Sequence, residues 1–294
     1  FEIHNIYFGL FFYFLALIGF WGGLVFYNSY LPEVAYPDQQ DRSSARGFSF
    51  GYVGSVSLLL FNLFMIMNPK LFGIQGNENE SSMIAMRYSF ILVGVWWALF
   101  SQYSFYYLPR VRIRKKVSSH VIWNGYRELR NVWRLLKNEV GLKRFLPAFF
   151  IYSTALQTVI LIAAYFGEEE ILWPDATEKT IGLIVSILLI QLVGIIGAYF
   201  TARASEKFGS IPILIIINIS WAIICLIAYH IKSPLEFYVT ACFVGLFMGG
   251  VQALSRSTYS RLIPKTNNTT SFFSFYDVSE KIGIVIGMII FGIL

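Results

Sequence analysis

The sequence predicts an all-α membrane protein built as a polytopic helix bundle, and three observations carry that prediction. Hydrophobic residues make up 56% of the 294-residue chain and charged residues only 14%, where a soluble domain carries about 25% charge. The apolar residues are gathered into long uncharged runs, as expected of helices that need about 20 residues to cross hydrocarbon. The connections between runs alternate in basic charge, as loops on alternate sides of a membrane do.

Seven runs are long enough to span: residues 6–31, 48–68, 88–108, 145–166, 181–201, 211–229 and 237–255. An eighth opens at Ile282 and is cut short at Leu294. With Phe rather than Met in first place, the expectation is an internal piece of a longer protein, about eight helices of a larger bundle. The seven connections hold 2, 2, 11, 1, 2, 1 and 4 Lys and Arg residues, so the odd connections carry 19 and the even ones 4. Odd connections are therefore expected in the cytoplasm.

The third connection divides the chain into residues 1–108, 109–144 and 145–294. It opens with Arg110-Val111-Arg112-Ile113-Arg114-Lys115-Lys116. Ile122, Tyr126, Leu129, Trp133, Leu136 and Val140 then recur at steps of four and three, on one helical face. Arg127, Arg130, Arg134 and Lys137 fall on other faces. That is the pattern of an amphipathic linker helix lying on an anionic inner leaflet, which makes membrane lipid the expected partner.

The net charge of +6 raises nucleic acid as a partner, but 11 of the 23 basic residues lie in this linker, with no RNA-binding motif or zinc-finger spacing. No nucleic-acid role is expected. Cys225 and Cys242 both sit in apolar runs and imply no disulfide framework. His4, His120 and His230 are scattered, and no HExxH, GxSxG or P-loop spacing occurs. The chain is expected to be no enzyme, with no metal and no cofactor. No charged residue interrupts the runs, so a coupling carboxylate is expected outside this chain.

Uncharged polar residues do interrupt them. An amide in hydrocarbon is costly unless paired, so each faces another helix or a wet cavity. Interhelical hydrogen bonds and a path for a small polar solute are both open readings. The candidate cavity residues are Tyr27, Asn28, Gln102, Gln157, Thr158, Gln191 and Gln252. Glu206-Lys207-Phe208-Gly209 is either a latch between helix ends or a solvated turn with a glycine cap. The glycine pairs 19/23, 47/51, 245/249 and 283/287, each spaced by four, favour closely packed helices.

Two stretches carry a family resemblance. Phe26-Tyr27-Asn28-Ser29-Tyr30-Leu31-Pro32-Glu33, with Ser44-Ala45-Arg46-Gly47-Phe48-Ser49-Phe50-Gly51-Tyr52-Val53-Gly54, resembles the fourth and fifth helices of the vacuole-effluxer-like family of the major facilitator superfamily, in its bacterial type. Gly249-Gly250-Val251-Gln252-Ala253-Leu254-Ser255-Arg256-Ser257, with Leu262-Ile263-Pro264 and Phe272-Phe273-Ser274-Phe275-Tyr276, resembles the same family around its tenth and eleventh helices. The resemblance implies helices four to eleven of twelve, with Glu206, Lys207 and Gly209 in the superfamily's turn between helices eight and nine. It implies export or exchange of a small solute, with amino acids the substrate class of the family's fungal members, by a monomer rocking about a mid-membrane site. Glu206, Lys207, Arg256 and Arg261 would then hold the inner gate. The membrane would be a bacterial plasma membrane, or a vacuolar one in a eukaryote. A non-transporting receptor or scaffold of the same fold, and a lipid-modifying membrane enzyme, are the alternatives.

Overall fold

The computed structural model describes residues 6–108, 121–136, 139–264, 266 and 268–293, and every regular element among them is helical. In chain order these are α1 (Ile6–Ser29), α2 (Leu31–Val34), α3 (Gln40–Met67), a 3-10 turn (Pro69–Phe72), α4 (Glu78–Tyr107), α5 (Val121–Leu136), α6 (Val140–Glu169), α7 (Ala176–Phe208), α8 (Ser210–Ala228), α9 (Pro234–Leu262) and α10 (Thr269–Ile293). Seven of them are long and apolar enough to cross a membrane. They correspond to the seven apolar runs, and their outward faces carry large exposed apolar side chains such as Phe11, Phe14, Ile18 and Ile215. The chain is a multi-pass, all-α membrane protein.

Helix ends follow local chemistry. The Asp175 carboxylate accepts the Glu178 amide at 2.7 Å and starts α7, while Ser233 and Glu236 cap each other's backbone amides at the start of α9. Gly209, at φ 88°, separates α7 from α8. A side chain there would be strained, so this glycine is what permits so short a connection.

The helices extend beyond the uncharged runs. Arg256 and Arg261 lie on α9, and Asp277, Glu280 and Lys281 lie on α10. The seventh connection is therefore six residues, 263–268, and not the charged loop expected from hydropathy. Counting uncharged stretches ends a helix at its first charge, whereas a helix continues wherever that charge finds a partner inside the protein.

The chain forms two compact units. One comprises Phe1–Leu15 and Gly54–Val121, the other Ala16–Val53 and Ile122–Leu294. The first has a small core of Met65, Ile74 and Ala85, with Ile66, Ile84 and Leu92 against it. In the second, α7 and α9 pack most closely. A Cβ on Gly245 would stand 2.5 Å from the Ile190 carbonyl oxygen, and one on Gly249 2.6 Å from that of Gly194, so these two backbones touch through glycine.

The second unit's core is aromatic. Phe149 stacks on Tyr276 with ring centroids 4.1 Å apart, and the Tyr259 hydroxyl donates to the Phe272 carbonyl at 2.7 Å. Val132 and Leu136 of α5 are buried in this core, and Trp133 stacks on Phe275 at 5.7 Å. The linker thus docks part of its apolar face on the protein, where the sequence placed that face on lipid. Tyr126 and Trp123 stay exposed. Lys137 and residues 110–116 lie outside the described residues.

Candidate functional site

The second unit buries an ionic network at one end, where the helices meet their basic connections. The side chain of Asp41, in the first turn of α3, is 5% exposed. Its Oδ1 receives Arg261 Nη2 at 2.8 Å and the Ser257 hydroxyl at 2.5 Å, both from α9. Its Oδ2 receives the hydroxyls of Ser205 (α7) at 2.9 Å and Ser210 (α8) at 2.7 Å. Four donors match the acceptor capacity of a carboxylate, which is what a charge buried in a low-dielectric interior requires. One side chain of α3 is thereby tied to three later helices.

Arg256 makes a second tie one turn away. It is 4% exposed. Its Nε donates to Ser44 Oγ at 2.9 Å, its Nη2 to the Ser44 carbonyl at 3.2 Å and its Nη1 to Asn28 Oδ1 at 3.2 Å. Its guanidinium lies 4.9 Å from both the Tyr27 and Phe48 ring centroids, a cation held between two π faces. Ser44 Oγ in turn donates to the Ala253 carbonyl at 2.8 Å. The Asn28 amide donates to Asp277 at 3.2 and 3.4 Å, so one amide bridges Arg256 and an acid on α10.

From Asp277 a row of charge runs along α10 into the bundle. Near the middle of both helices, Gln157 of α6 donates to Glu280 Oε1 at 2.8 Å. Lys281 Nζ pairs with Glu280 Oε2 at 2.8 Å and sits 3.3 Å from the Trp21 ring centroid. A cavity of about 470 Å³ opens beside this row, with Trp21, Gly22, Val25, Asp277, Lys281 and Val285 among its lining. These are buried or half-buried acids and a lysine on helices of a membrane protein, where the sequence reading expected any such carboxylate to lie outside the chain. Charged residues inside a bundle are costly and mark function by default.

The sequence candidates divide accordingly. Tyr27, Asn28 and Gln157 belong to this network, and Arg256 and Arg261 are its cations. Gln252 accepts the Tyr52 hydroxyl at 3.1 Å. Thr158 donates to the Thr154 carbonyl at 2.7 Å and packs against Gly287. Gln191 is half-buried on α7, and Gln102 is exposed on α4. Glu206 and Lys207 are not joined to each other: Lys207 lies over the Phe208 ring at 5.1 Å, and Glu206 lines a small pocket with Arg42, Arg46 and Arg203. No group of three or more His, Cys, Asp or Glu that could hold a metal occurs among the described residues.

Asp41, Ser44, Ser205, Ser210, Ser257, Asp277, Glu280 and Lys281 were not anticipated. For α10 the signal was present, because Asp277 and Glu280 stand three apart between the buried ring of Tyr276 and the apolar run after Ile282, on one helical face. For Asp41 no local signal distinguishes it from an ordinary first-turn acid.

The profile of the vacuole effluxer Atg22-like family matches residues 2–294. The chain belongs to this family. Among similar proteins is the uncharacterized MFS-type transporter YxiO of Bacillus subtilis, 27% identical over 289 residues, covering 97% of this chain and 64% of the relative. Autophagy-related protein 22 of Eremothecium gossypii is 27% identical over 272 residues, covering 85% and 50%, and that of Kluyveromyces lactis is 26% identical over 274 residues, covering 85% and 52%. The chain thus spans about half to two thirds of the length of the Atg22-like relatives it matches. No solved structure matches it.

Proposed function

We propose that this Atg22-like chain is the larger part of a secondary transporter that moves a small polar solute, with amino acids the first class to test, by exposing a central site to alternate sides of the membrane. The observation that supports it is the row Asp277, Glu280 and Lys281, which leads from the buried network into the bundle and meets Gln157 in its middle. In this reading residues 1–108 complete one bundle, 109–144 link, and 145–294 form the other. The Asp41 and Arg256 ties hold the basic, cytoplasmic end closed while the site faces outward, and they break as it turns inward. Glu280, Lys281 and Gln157 offer an acceptor, a cation and an amide to a solute carrying both charges. The protein then has no catalytic step, needs no cofactor, works as a monomer and resides in a plasma or vacuolar membrane.

Counterflow in liposomes tests this. The full-length protein, preloaded with unlabelled amino acid, is expected to accumulate labelled amino acid saturably, and Glu280→Gln to lose that flux while the protein keeps its abundance and melting temperature. No saturable flux across a panel of amino acids and other small polar solutes would favour a receptor or scaffold using the same fold.

A further inference from the structure

A second pocket, of about 200 Å³, lies between α3 and α7 beside the Asp41 tie. Its lining includes Arg42, Arg46 and Ser49 of α3 and Arg203 and Glu206 of α7, over a floor formed by Ala45 and Ala202. Those two alanines are buried and pack with Ala198 and Ala253. Small side chains at the floor leave room above them, and the three arginines reach that room from two helices. All three are exposed and form no ion pair among the described residues; Arg203 Nη1 donates to the Tyr199 hydroxyl at 2.9 Å. Three guanidinium groups face one carboxylate, so the pocket carries a net positive charge. Tyr199 is exposed nearby on the same helix, an aromatic type enriched at membrane interfaces.

We infer that this pocket binds a phosphate-bearing anion. A planar guanidinium recognises a phosphate oxygen pair by two parallel hydrogen bonds, and a basic pocket between transmembrane helices at the inner surface suits an anionic headgroup. The phosphate comes either from an anionic phospholipid or from a soluble phosphate. Nothing in the solute path is used by this site. Its position has a consequence: Arg42 follows Asp41, and Glu206 follows Ser205, so an anion that draws α3 and α7 together also favours the Asp41 tie one residue away.

The test is binding, independent of transport. Full-length protein in detergent is titrated with short-chain phosphatidylglycerol, short-chain phosphatidylcholine, glycerol phosphate and inorganic phosphate, with thermal stabilisation as readout. Phosphatidylglycerol is expected to raise the melting temperature at concentrations where phosphatidylcholine does not; stabilisation by glycerol phosphate or inorganic phosphate at equal concentration identifies a soluble phosphate as the ligand instead. The variant R42Q/R46Q/R203Q is expected to bind on the order of a hundredfold more weakly. E206Q, which removes the opposing carboxylate, is expected to bind about fivefold more tightly, a gain that a merely structural role would not give. R42K/R46K/R203K keeps the charge but not the two-bond fork and is expected to bind more weakly than the parent yet more tightly than the triple glutamine variant. Equal response to the anionic and zwitterionic lipids with no response to either phosphate, or an unchanged affinity in the triple glutamine variant, overturns the inference.

Discussion

Arg261 Nη2 stands 2.8 Å from Asp41 Oδ1, and the same nitrogen is hydrogen-bonded to Ser210 Oγ. A residue in the first turn of α3 and one in the last turn of α9 are thereby joined through an oxygen at the start of α8. Removing one member of a buried ion pair strands the other and costs about 3–5 kcal/mol. Arg261 is partly exposed, so the lower figure applies. Asp41→Asn is expected to open the basic end by a factor on the order of a hundred. Ala253, 1% exposed under Ser44, is the reporter. Ala253→Cys, in a background without Cys225 and Cys242, should react with maleimide much faster once Asp41→Asn is added. An unchanged labelling rate would mean that the tie does not close that end.

Arg256 should tolerate lysine poorly. Its three hydrogen bonds leave from three different nitrogens, and its guanidinium lies over the Tyr27 and Phe48 rings. An ammonium keeps the charge but not the fork or the stacking. At about 1 kcal/mol for each hydrogen bond lost, Arg256→Lys is expected to cost about 2 kcal/mol of the closed state. The same Ala253→Cys reporter reads it. Labelling equal to that of the parent would show that charge alone holds the contact.

Glu280 depends on Gln157 for its only described donor from another helix. Gln157→Leu leaves a half-buried carboxylate short of a bond worth about 1.5–3 kcal/mol to a charged group, and the melting temperature is expected to fall. Gln157→Glu sets two carboxylates within hydrogen-bond reach, a like-charge contact in place of a donor, and is expected to lower the melting temperature further than Gln157→Leu does. Melting temperatures in the reverse order would place the two side chains apart.

Much of the fold was legible because hydropathy is a property of whole segments. Seven spans, the linker helix and the glycine contacts at 245/249 and 283/287 all follow from composition and period. The ionic network was not legible, and the reason is its range. Asp41 meets Ser205, Ser210 and Arg261, more than 160 positions away, and no local spacing encodes such a meeting. Glu206 and Lys207 are neighbours in sequence, and adjacent helical residues do not face each other; Glu206 lines a pocket with Arg42, Arg46 and Arg203 while Lys207 lies over the Phe208 ring, so their spacing alone does not say what either meets. Asp277 and Glu280 lie beyond the last full uncharged run because a charge ends such a run; partnered by Asn28 and Gln157, each sits within a helix.

The glycines give the sharpest test of the packing, because the same substitution should act in opposite directions at two sites. Gly197 of α7 faces the backbone of Leu246 on α9, and an added Cβ would collide with that carbonyl. Backbone against backbone has no rotamer to yield, so Gly197→Ala is expected to cost about 1–3 kcal/mol, as overpacking does. Gly125, inside α5, has nothing within 4 Å of an added Cβ. There alanine removes the excess backbone entropy of glycine and should stabilise the helix by about 0.5–1 kcal/mol. Thermal melting in detergent should separate the two variants on either side of the parent. A melting temperature unchanged or raised by Gly197→Ala would mean that α7 and α9 do not approach through this glycine.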